Sequence, residues 1–404
     1  MRIVTIMTFA AMATLISIAQ GAEMVTTETL GFKPTVLPRG ATVVPSTPEF
    51  MRVGEGAMYQ CRDGELALFF DARRKGGDHD KAVIRRIVSR DDGRSWQTVL
   101  TVLSHPTDSI LQPSIVRLPD GRMGMSYSHL KGYKHAEKQF AASSDDGLSW
   151  SKPTLISKGE CEYVTGAHDR LVQLPTGRII AILHGKKDVG PGEYDAHFVT
   201  YVFTSDDSGA TWTNRTPHGL DAPENPFKKK QYGLWEASVV LIGESSRLLL
   251  YGRTATGWLF ESRSDDSGAS WAAPTQTKIP NPLAPVRLTR VPDTPILLMF
   301  RNPLVAMESG WHGGVRRVLT VQTSTDEGKN WGPCHQLEFV ESETQWFDYP
   351  FILWSGTTLH LGYRAPTEGA FACSIYHLAL FRDEILKLSG QLGPRDGVPA
   401  AHDP

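Results

Sequence analysis

The stretch Ser264-Asp265-Asp266-Ser267-Gly268-Ala269-Ser270-Trp271 has the pattern S-x-D-x-G-x-x-W, in which x is any residue. Four more copies run from Ser89 to Trp96, Ser143 to Trp150, Ser205 to Trp212 and Ser324 to Trp331. The first serines of successive copies are 54, 62, 59 and 60 residues apart. Five copies of one octamer at a nearly constant spacing predict a repeat architecture.

The residue types of the octamer predict a tight turn. An aspartate side chain accepts hydrogen bonds from backbone N–H groups close to it in the chain. The glycine allows a backbone conformation with positive φ, which other residues resist. The tryptophan offers a large apolar surface that packs the turn against the strands beneath it. We therefore expect each octamer to form the tip of a β-hairpin and to determine architecture rather than chemistry.

The composition limits the class of protein. The chain has 404 residues with 37 Gly and 26 Pro, so it is rich in turns and long enough for a large core. Its formal net charge of −2 gives no reason to expect binding to nucleic acid or to an anionic membrane. The four cysteines allow three complete disulfide pairings or stay free thiols, and their spacing does not suggest a zinc site. We expect no metal, no cofactor and a monomer or weak oligomer.

The N-terminus has the pattern of a secretory signal. Arg2 is a charged start, residues 3–18 are an apolar run, and Ala19 to Ala22 offer small residues for cleavage. These features predict a signal peptide over residues 1–22 and a secreted or periplasmic protein. No later stretch is long and apolar enough to span a bilayer, so no membrane insertion is expected. Residues 393–404 are predicted to be a flexible tail.

Between these ends, one pattern repeats: an apolar run, a turn, a second apolar run, another turn and the octamer. The turns include Arg62-Asp63-Gly64 and Pro119-Asp120-Gly121. A unit of about 60 residues with roughly four strands is typical of a propeller blade. Five units with an octamer, and a last unit around Trp354 to Tyr363 without one, predict an all-β, six-bladed β-propeller over residues 23–392. We expect the ring to close by pairing strands from the two ends of the chain, and we expect no amphipathic helix.

The octamers resemble the Asp-box repeat of the sialidase (neuraminidase) superfamily, and the resemblance covers most of the chain. The segment Leu234 to Val240, followed by Leu248 to Thr254 and the fourth octamer, is similar to the sialidase segment that carries a glutamate and then an active-site arginine. Phe347-Asp348-Tyr349-Pro350 is similar to the segment of the nucleophilic tyrosine. The resemblance implies active-site roles for Glu236, Arg253 and Tyr349.

Two further residues follow from the same resemblance. The segment Phe70 to Arg73, followed by Asp78, is similar to the segment with the acid/base aspartate, and Arg316 lies in a segment similar to that of the third arginine. Asp80 competes with Asp78, because residues two apart on a strand face the same side. Arg317 competes with Arg316 and would point to the opposite face. Arg73, Arg85 and Arg86 are expected to be solvated or structural.

The sequence departs from the family at the first arginine. Sialidases usually carry Arg-Ile-Pro there, whereas this chain has Arg52-Val53-Gly54-Glu55. If Arg52 does not reach the axis of the propeller, the carboxylate clamp has two arginines, and Glu55 nearby would repel an anion. Stretches of the chain also resemble a bacterial sialidase-like branch. Candidates for the lining of the pocket are His79, Asp80, His168, Asp169, Arg170, Trp311 and His312.

The residue types fit the chemistry that the resemblance implies. Planar guanidinium groups hold the carboxylate of a sialic acid through two hydrogen bonds each. A neutral tyrosine avoids the repulsion that a carboxylate nucleophile would meet from the anionic substrate. Glu236 would activate Tyr349, and Asp78 would protonate the leaving oxygen and then activate water, with retention of configuration.

Three functions stay open on the sequence. The first is a secreted exo-α-sialidase that releases a terminal sialic acid or a related keto-sugar acid from glycoconjugates. The second is another glycosidase or a lyase on the same propeller, acting on a neutral sugar or a uronate, since a fold does not determine chemistry. The third is a non-catalytic glycan-binding propeller, which predicts a pocket without a contact between Tyr349 and Glu236.

Overall fold

The computed structural model of the 404-residue chain describes residues 37, 39–190, 195–223, 227, 230–243, 246–305, 316–340, 346–367 and 372–390. The predicted signal peptide, Trp311, His312 and the predicted tail over 393–404 lie outside the described residues. Within the described ranges, no helix has the length and apolar character needed to cross a membrane. The four cysteines are free thiols.

Among the described residues, regular secondary structure is almost entirely β-strand, and the strands are numbered in chain order. The first half comprises β1 Ala41–Val44, β2 Arg52–Gln60, β3 Leu66–Arg73, β4 Ala82–Ser89, β5 Gln97–Leu103, β6 Ser109–Arg117, β7 Met123–Leu130, β8 Ala136–Ser143, β9 Thr154–Leu155, β10 Val164–Thr165, β11 Leu171–Gln173, β12 Ile179–Val189, β13 Ala196–Ser205 and β14 Thr213–Asn214. The second half comprises β15 Gln231–Gly233, β16 Trp235–Ile242, β17 Arg247–Arg253, β18 Trp258–Ser264, β19 Thr275–Pro280, β20 Arg287–Arg290, β21 Leu297–Arg301, β22 Val318–Ser324, β23 His335–Phe339, β24 Asp348–Ser355, β25 Thr358–Pro366 and β26 Cys373–Phe381. One short helix, α1 Arg382–Leu388, follows β26 and departs from the expectation of no helix.

The strands form a β-propeller arrangement of antiparallel sheets. Three sheets have four strands each, in the orders β6-β7-β8-β9, β16-β17-β18-β19 and β20-β21-β22-β23. A six-stranded sheet is built on β10-β12-β13-β14, with β11 beside β12 and β15 beside β13. The remaining strands make one eight-stranded sheet, here called the joined sheet, in the order β24-β25-β26-β2-β3-β4-β5 with β1 on β26.

The hydrogen bonding joins the described strands into five sheets and not into six separate ones. The reason lies at the two ends of the chain. β1 pairs antiparallel with β26, and β2 meets β26 through the parallel pair Arg52 and Cys373. Strands from the start and the end of the chain thus share one sheet, as the expected ring closure requires.

Each octamer folds as a turn between two antiparallel strands, as the sequence predicts. In the fourth copy, the backbone N–H of Gly268 donates to Ser264 Oγ over 2.9 Å, and the N–H of Ser270 donates to Asp266 Oδ1 over 2.8 Å. The same two bonds recur in the other four copies. The residue before each glycine also has positive φ, as Ser267 does at 59°, so the turn needs two consecutive left-handed residues.

The octamer glycines lie against a strand of a neighbouring part of the ring. A Cβ atom on Gly209 would come within 2.1 Å of Phe140 in β8, and one on Gly147 within 2.5 Å of Phe69 in β3. Gly268 and Gly328 approach Ile180 and Leu249 in the same way. The glycine is thus required both for its φ and for this close approach, and the turn holds two sheets together.

The apolar core lies between neighbouring sheets. One cluster combines Phe69 and Ile84 of the joined sheet with Met125 and Ala141 of the next sheet. Burial of a side chain such as Phe69 stabilises a fold by roughly 1.5–3 kcal/mol. Because each sheet is covered on both faces, inner strands such as β3 are buried along their whole length, whereas outer strands such as β19 are exposed or half-buried.

Candidate active site

A pocket with about 600 Å³ of open space lies where four strands, β2, β6, β16 and β24, begin. One residue near the start of each of these strands lines it: Glu55, Gln112, Glu236 and Tyr349. The other lining residues are Arg73, Asp78, His79, Leu111, Leu130, Tyr163, Thr165, His184, Lys186, Phe198, Gln231, Trp235 and Arg253. The predicted residues Asp78, His79, Glu236, Arg253 and Tyr349 are therefore brought together.

The four strand-start residues share a strained backbone. Glu55, Gln112, Glu236 and Tyr349 have φ of 39°, 58°, 49° and 54°, and each lies at a register shift with the next strand. Non-glycine residues avoid this region, and holding one there costs about 1–3 kcal/mol. Such strain concentrates at functional sites, so the shared conformation supports a common role for this position in the ring.

Tyr349 and Glu236 are in direct contact. The phenolic hydroxyl donates to Glu236 Oε1 over 3.1 Å, although the two residues are 113 positions apart. Arg253 Nη1 lies 2.9 Å from Glu236 Oε2, and the Arg253 guanidinium stands 4.8 Å from the centre of the Trp235 ring. All three polar side chains are buried. A tyrosine, an acceptor carboxylate and a cation thus form one connected group.

The protonation of this group follows from its burial. Burial, and then the charge of Glu236, raise the pKa of the Tyr349 phenol above its usual range. Burial also raises the pKa of the Glu236 carboxyl, against the opposing effect of Arg253. A neutral phenol whose proton points at a carboxylate of raised proton affinity is arranged for transfer of that proton as the phenol oxygen attacks.

A second ion group lies directly beneath Tyr349. Asp348 accepts from Arg364 Nε and Nη2, both over 2.7 Å, and from Arg316 Nη1 over 2.7 Å. Burial opposes ionisation of Asp348, but Arg364 and Arg316 outweigh it and hold its pKa well below the usual range. The guanidinium of Arg364 stands 4.5 Å from the centre of the Tyr349 ring and that of Arg316 5.7 Å. These two cations therefore support the ring and its strand.

The predicted arginines Arg253 and Arg316 share one acceptor. Arg253 Nη1 donates to the carbonyl oxygen of Leu283 over 3.1 Å, and Arg316 Nη2 donates to the same oxygen. The Nε–H groups of both side chains are buried without a hydrogen-bond partner among the described residues. The two guanidinium groups are thus close together, and each keeps an unused donor.

On the opposite part of the lining, Arg73 joins three acids. Its Nη2 donates to Glu55 Oε1 over 2.7 Å and to Asp71 Oδ2 over 2.8 Å, and its Nη1 reaches Asp78 Oδ1 over 3.3 Å. Burial raises the pKa of Asp71 to about 6, in spite of Arg73. From the sequence we expect Arg73 to be solvated or structural. In the fold it is buried, paired with acids, and part of the pocket lining.

Asp78 and Asp80 have different surroundings. Asp78 lines the pocket and its Oδ1 lies 2.6 Å from Arg52 Nη1. Partial burial opposes its ionisation, but Arg52 and Arg73 outweigh this and keep the pKa of Asp78 well below the usual range. Asp80 instead accepts from the backbone N–H of Gly77 over 2.6 Å and stabilises the turn. Of the two aspartates, only Asp78 lies in the pocket lining.

Arg52 does not line the pocket in the described part of the chain. Its Nη1 contacts Asp78 and the carbonyl oxygen of Gly76, and its Nη2 lies 3.4 Å from Glu55 Oε1. It therefore neutralises two acids behind the lining, and its predicted role in binding substrate stays a prediction.

His168 and Arg170 lie beneath the pocket, near the axis. His168 Nε2 donates to the carbonyl oxygen of Tyr349 over 3.1 Å, and Arg170 Nη2 donates to that of Val286 over 2.8 Å. Between them, Asp169 binds Arg287 over 2.6 Å. These residues hold the inner strands against each other, so they position the pocket and do not line it.

The upper wall of the pocket has side chains that the sequence did not single out. Lys186 Nζ donates to the carbonyl oxygen of Tyr133 over 2.6 Å and stands 3.9 Å from the centre of the Tyr163 ring. His184 shares a 3.0 Å hydrogen bond with Thr165, and burial lowers its pKa to about 3, so it is neutral. Lys186 is a charged residue within an apolar strand. The sequence signal that applies to Arg253 therefore applies equally well to Lys186.

Side chains with metal-ligand spacing occur elsewhere. Among the described residues, His105, Asp108 and His129 bring three ligand atoms within 4.8 Å of one another, on the loop before β6 and at the end of β7. None of the three lines the pocket. The pocket acids Asp78 and Glu236 are instead paired with arginines, which leaves the pocket arranged for acid–base chemistry.

Comparison with known families identifies the repeat architecture of the chain. Residues 64–361 match the model of the family described as "BNR repeat-like domain". The chain belongs to this family, within the sialidase superfamily. The match runs through all five octamers, from Ser89 to Trp331.

Solved structures of sialidases have the same fold as this BNR-repeat protein. The Hadza microbial sialidase Hz136 is 18% identical with a TM-score of 0.66, over 85% of this chain and 68% of its own. The intramolecular trans-sialidase from Ruminococcus gnavus is 13% identical with a TM-score of 0.64, over 88% of this chain and 97% of its own. A protein of unknown function from Dyadobacter fermentans is 17% identical with a TM-score of 0.63, over 86% of this chain and 100% of its own. At these identities the likeness establishes a sialidase-like glycoside hydrolase fold.

Proposed function

We propose that this BNR-repeat protein is a retaining exo-glycoside hydrolase in which Tyr349 is the nucleophile and Glu236 its base. The observation that carries the proposal is the 3.1 Å hydrogen bond from the Tyr349 hydroxyl to Glu236 Oε1 in the wall of an open pocket. A glycan-binding propeller has no need of this contact, nor of a strained backbone at both residues. The sialidase-like fold supports the same assignment.

The reaction follows from the positions of these groups. The phenol oxygen of Tyr349 attacks the anomeric carbon while its proton passes to Glu236, and the bond from that carbon to the leaving oxygen breaks; the leaving group departs as an anion and takes a proton from solvent. Water then attacks the same carbon and gives a proton to Asp78, which releases it to solvent, while the bond to Tyr349 breaks and the phenolate regains its proton from Glu236. Two inversions at one carbon give net retention. The cation of Arg253 beside Glu236 lowers the proton affinity of that carboxyl, which favours return of the proton to the phenolate in the second step.

We assign Asp78 to the activation of water in the second step. Arg52 and Arg73 keep this group ionised, and a carboxylate accepts a proton from water directly. Donation of a proton to the leaving oxygen by the same group requires that its 2.6 Å contact with Arg52 opens first. Substrates with a good leaving group need no such proton, so they test the nucleophile alone.

The proposed glycone is a terminal sialic acid or a related keto-sugar acid. A neutral nucleophile suits an anionic substrate, and Arg253 in the lining has an unused Nε–H donor for its carboxylate, whereas Arg316 is not part of the described lining. A neutral sugar is the second candidate, and a specific observation favours it: Arg73 and Arg253, the arginines of the described lining, are both already paired with acids.

Two structural predictions belong with this proposal. We propose that the joined sheet counts as two blades, β24 to β26 with β1 and β2 to β5, which makes six blades in all. The predicted signal peptide over residues 1–22 supports export of the protein, because a glycosidase of this type meets its glycoconjugates outside the cytoplasm. Activity of the exported protein in the culture medium or periplasm tests this.

The test is a screen of the purified protein against 4-methylumbelliferyl α-sialosides, α-Kdn glycosides, β-glucuronides and neutral hexosides. We expect Tyr349→Phe and Glu236→Gln to lower kcat by about 10²–10⁴-fold on the substrate that is hydrolysed. Asp78→Asn should slow the step that consumes water. Proton NMR should show that the first-formed product has the same anomeric configuration as the substrate.

The chain offers a matched control. Tyr363 donates to Glu338 Oε1 over 2.5 Å, and both residues are buried outside the pocket. Tyr363→Phe and Glu338→Gln therefore break the same kind of contact without touching the proposed site, and they should leave kcat within about threefold of wild type. Wild-type turnover in Tyr349→Phe and Glu236→Gln would overturn the mechanism.

A further inference from the structure

Glu55 has a carboxylate oxygen that the protein leaves without a partner. Its Oε1 accepts from Arg73 Nη2 over 2.7 Å and lies 3.4 Å from Arg52 Nη2. Its Oε2 is buried and has no hydrogen-bond partner among the described residues. The side chain is 4% exposed and belongs to the lining of the pocket. An unpaired acceptor thus lies in the pocket wall.

This oxygen belongs to an ionised group. Burial opposes ionisation, but Arg73 and Arg52 outweigh it and lower the pKa of the Glu55 carboxyl to about 2. An acceptor of a charged group that stays unsatisfied in a buried place is destabilising, more so than a neutral acceptor. An unsatisfied buried acceptor of this kind is rare in folded proteins, and in the wall of a pocket a ligand can supply the missing donor.

The backbone holds Glu55 in a fixed place. Its φ is 39°, at the register shift between Gly54 and Gly56. A Cβ on Gly54 would meet Arg364 at 3.0 Å, and one on Gly56 would meet Phe351 at 2.9 Å. The two glycines let this turn of strand β2 lie closely against strands β24 and β25. The carboxylate is therefore presented to the pocket by a strained and tightly packed segment.

Resting on the proposed glycosidase function, we propose that Glu55 is a substrate-binding residue whose Oε2 accepts a hydrogen bond from a hydroxyl group of the terminal sugar. The pocket then requires a hydroxyl donor at this position, and the negative charge excludes a carboxylate there. Glu55 thus determines specificity: its carboxylate selects a hydroxyl group, whereas an arginine at this position would select a carboxylate.

The charges of the lining favour a neutral donor over a cation. Three acids line the pocket, Glu55, Asp78 and Glu236, and three bases accompany them, Arg73, Arg253 and Lys186. Glu55 has its own counter-ion in Arg73, so a ligand that brings another positive charge would unbalance the site. A hydroxyl group satisfies Oε2 and changes no charge.

The experiment compares Glu55→Gln with Asp71→Asn, each measured with the hydrolysed glycoside and with its monodeoxy analogues. Asp71 binds the same Arg73 but does not line the pocket, so its variant reports effects that pass through Arg73 alone. We expect Glu55→Gln to raise KM about tenfold or more, in keeping with the loss of a hydrogen bond to a charged group. Asp71→Asn should change KM less than threefold.

The deoxy analogues identify the direct contact. One analogue should lose about tenfold in kcat/KM with wild type and lose nothing further with Glu55→Gln, because the variant and the analogue remove the same hydrogen bond. Equal losses in Glu55→Gln and Asp71→Asn, or a KM for Glu55→Gln within twofold of wild type, would overturn the proposal. If Glu55→Gln does not fold, the wild-type deoxy series and Glu55→Asp decide, and a series without any tenfold loss refutes the contact.

Saturation-transfer NMR with free N-acetylneuraminic acid, glucuronic acid and galactose separates this proposal from the proposed function. Binding by wild type without hydrolysis of any glycoside refutes the glycosidase, and the Glu55 contact is then decided by whether Glu55→Gln abolishes the binding. Hydrolysis that survives Tyr349→Phe refutes the nucleophile alone. Absence of both binding and hydrolysis refutes both proposals.

Discussion

Replacing Asp348 by asparagine tests the ion group that supports Tyr349. The carboxylate is fully buried and accepts three hydrogen bonds of 2.7 Å from Arg316 and Arg364, which are 2% and 5% exposed. Asparagine keeps the shape but removes the charge and turns one acceptor into an N–H donor that faces a guanidinium. Breaking a buried ion pair in this way costs about 3–5 kcal/mol, and we expect Asp348→Asn to lose this much free energy of unfolding.

Urea unfolding at pH 7, followed by the fluorescence of the 10 tryptophans, measures the loss. Asp120→Asn is the matched control, because Asp120 pairs with Arg122 at the surface and such a pair contributes less than about 1 kcal/mol. The folded-state pKa of Asp348 is depressed, so its stabilisation is complete above the ordinary aspartate pKa and is lost only as the pH falls through the lower, folded value. The deficit of the variant should therefore persist down to pH 5. A loss below about 1 kcal/mol would refute this account of the two arginines.

Two further predictions concern pH. The base Glu236 must be ionised to take the proton of Tyr349, and burial raises its pKa. The acidic limb of the kcat/KM profile should therefore have a pKa above 4.5, the ordinary value for glutamate. A pH–rate profile with a limb at or below 4.5 contradicts the assignment. Lys138 is buried, its Nζ donates within the described part of the chain only to neutral oxygens of Gln112 and Ser128, and burial lowers its pKa from 10.5 to about 7. Between these two pKa values the unfolded state binds more protons than the folded state, so the stability of the wild type rises with pH. Lys138→Met should therefore have a higher free energy of unfolding than wild type at pH 7, and this difference should shrink towards pH 10. Thermal unfolding across this range measures the gain, and a gain independent of pH would exclude a buried cation.

The parts of the fold that the sequence predicts correctly are those made by local contacts. Every hydrogen bond that defines the octamer turn joins residues no more than four apart, as between Ser264, Asp266, Gly268 and Ser270. Five copies of such a turn at a constant spacing then imply the repeat, since each turn joins two antiparallel strands. Local contacts do not predict the number of sheets. That number depends on the pairing of β2 with β26, two strands near opposite ends of the chain.

The site residues divide in the same way. Glu236, Arg253 and Tyr349 follow from the resemblance to sialidases, and the fold brings them together. The alternation of side chains along strand β2 does not predict the position of Arg52. The register shift between Gly54 and Gly56 inserts a residue, so the residues before it point to the opposite face of the sheet. Glu55 thus reaches the pocket lining and Arg52 lies behind it.

Arg364 is a residue that the sequence could have indicated. It lies within the buried strand β25, where a charge is costly without a partner, and its partner is Asp348. Gln112 has no comparable signal, since a lone amide in a strand is common. Its left-handed backbone is visible only in the structure.

The octamer glycines hold neighbouring sheets together, but β24 to β26 have no octamer turn to lay against β20 to β23. The largest apolar cluster of the described residues lies at this joint and extends from Val291 and Phe300 to Leu361 and Ile385. Hydrophobic burial weakens on cooling, in contrast to a turn fixed by hydrogen bonds. We therefore expect the joint that carries the strand of Tyr349 to weaken on cooling more than the joints that an octamer turn also holds together.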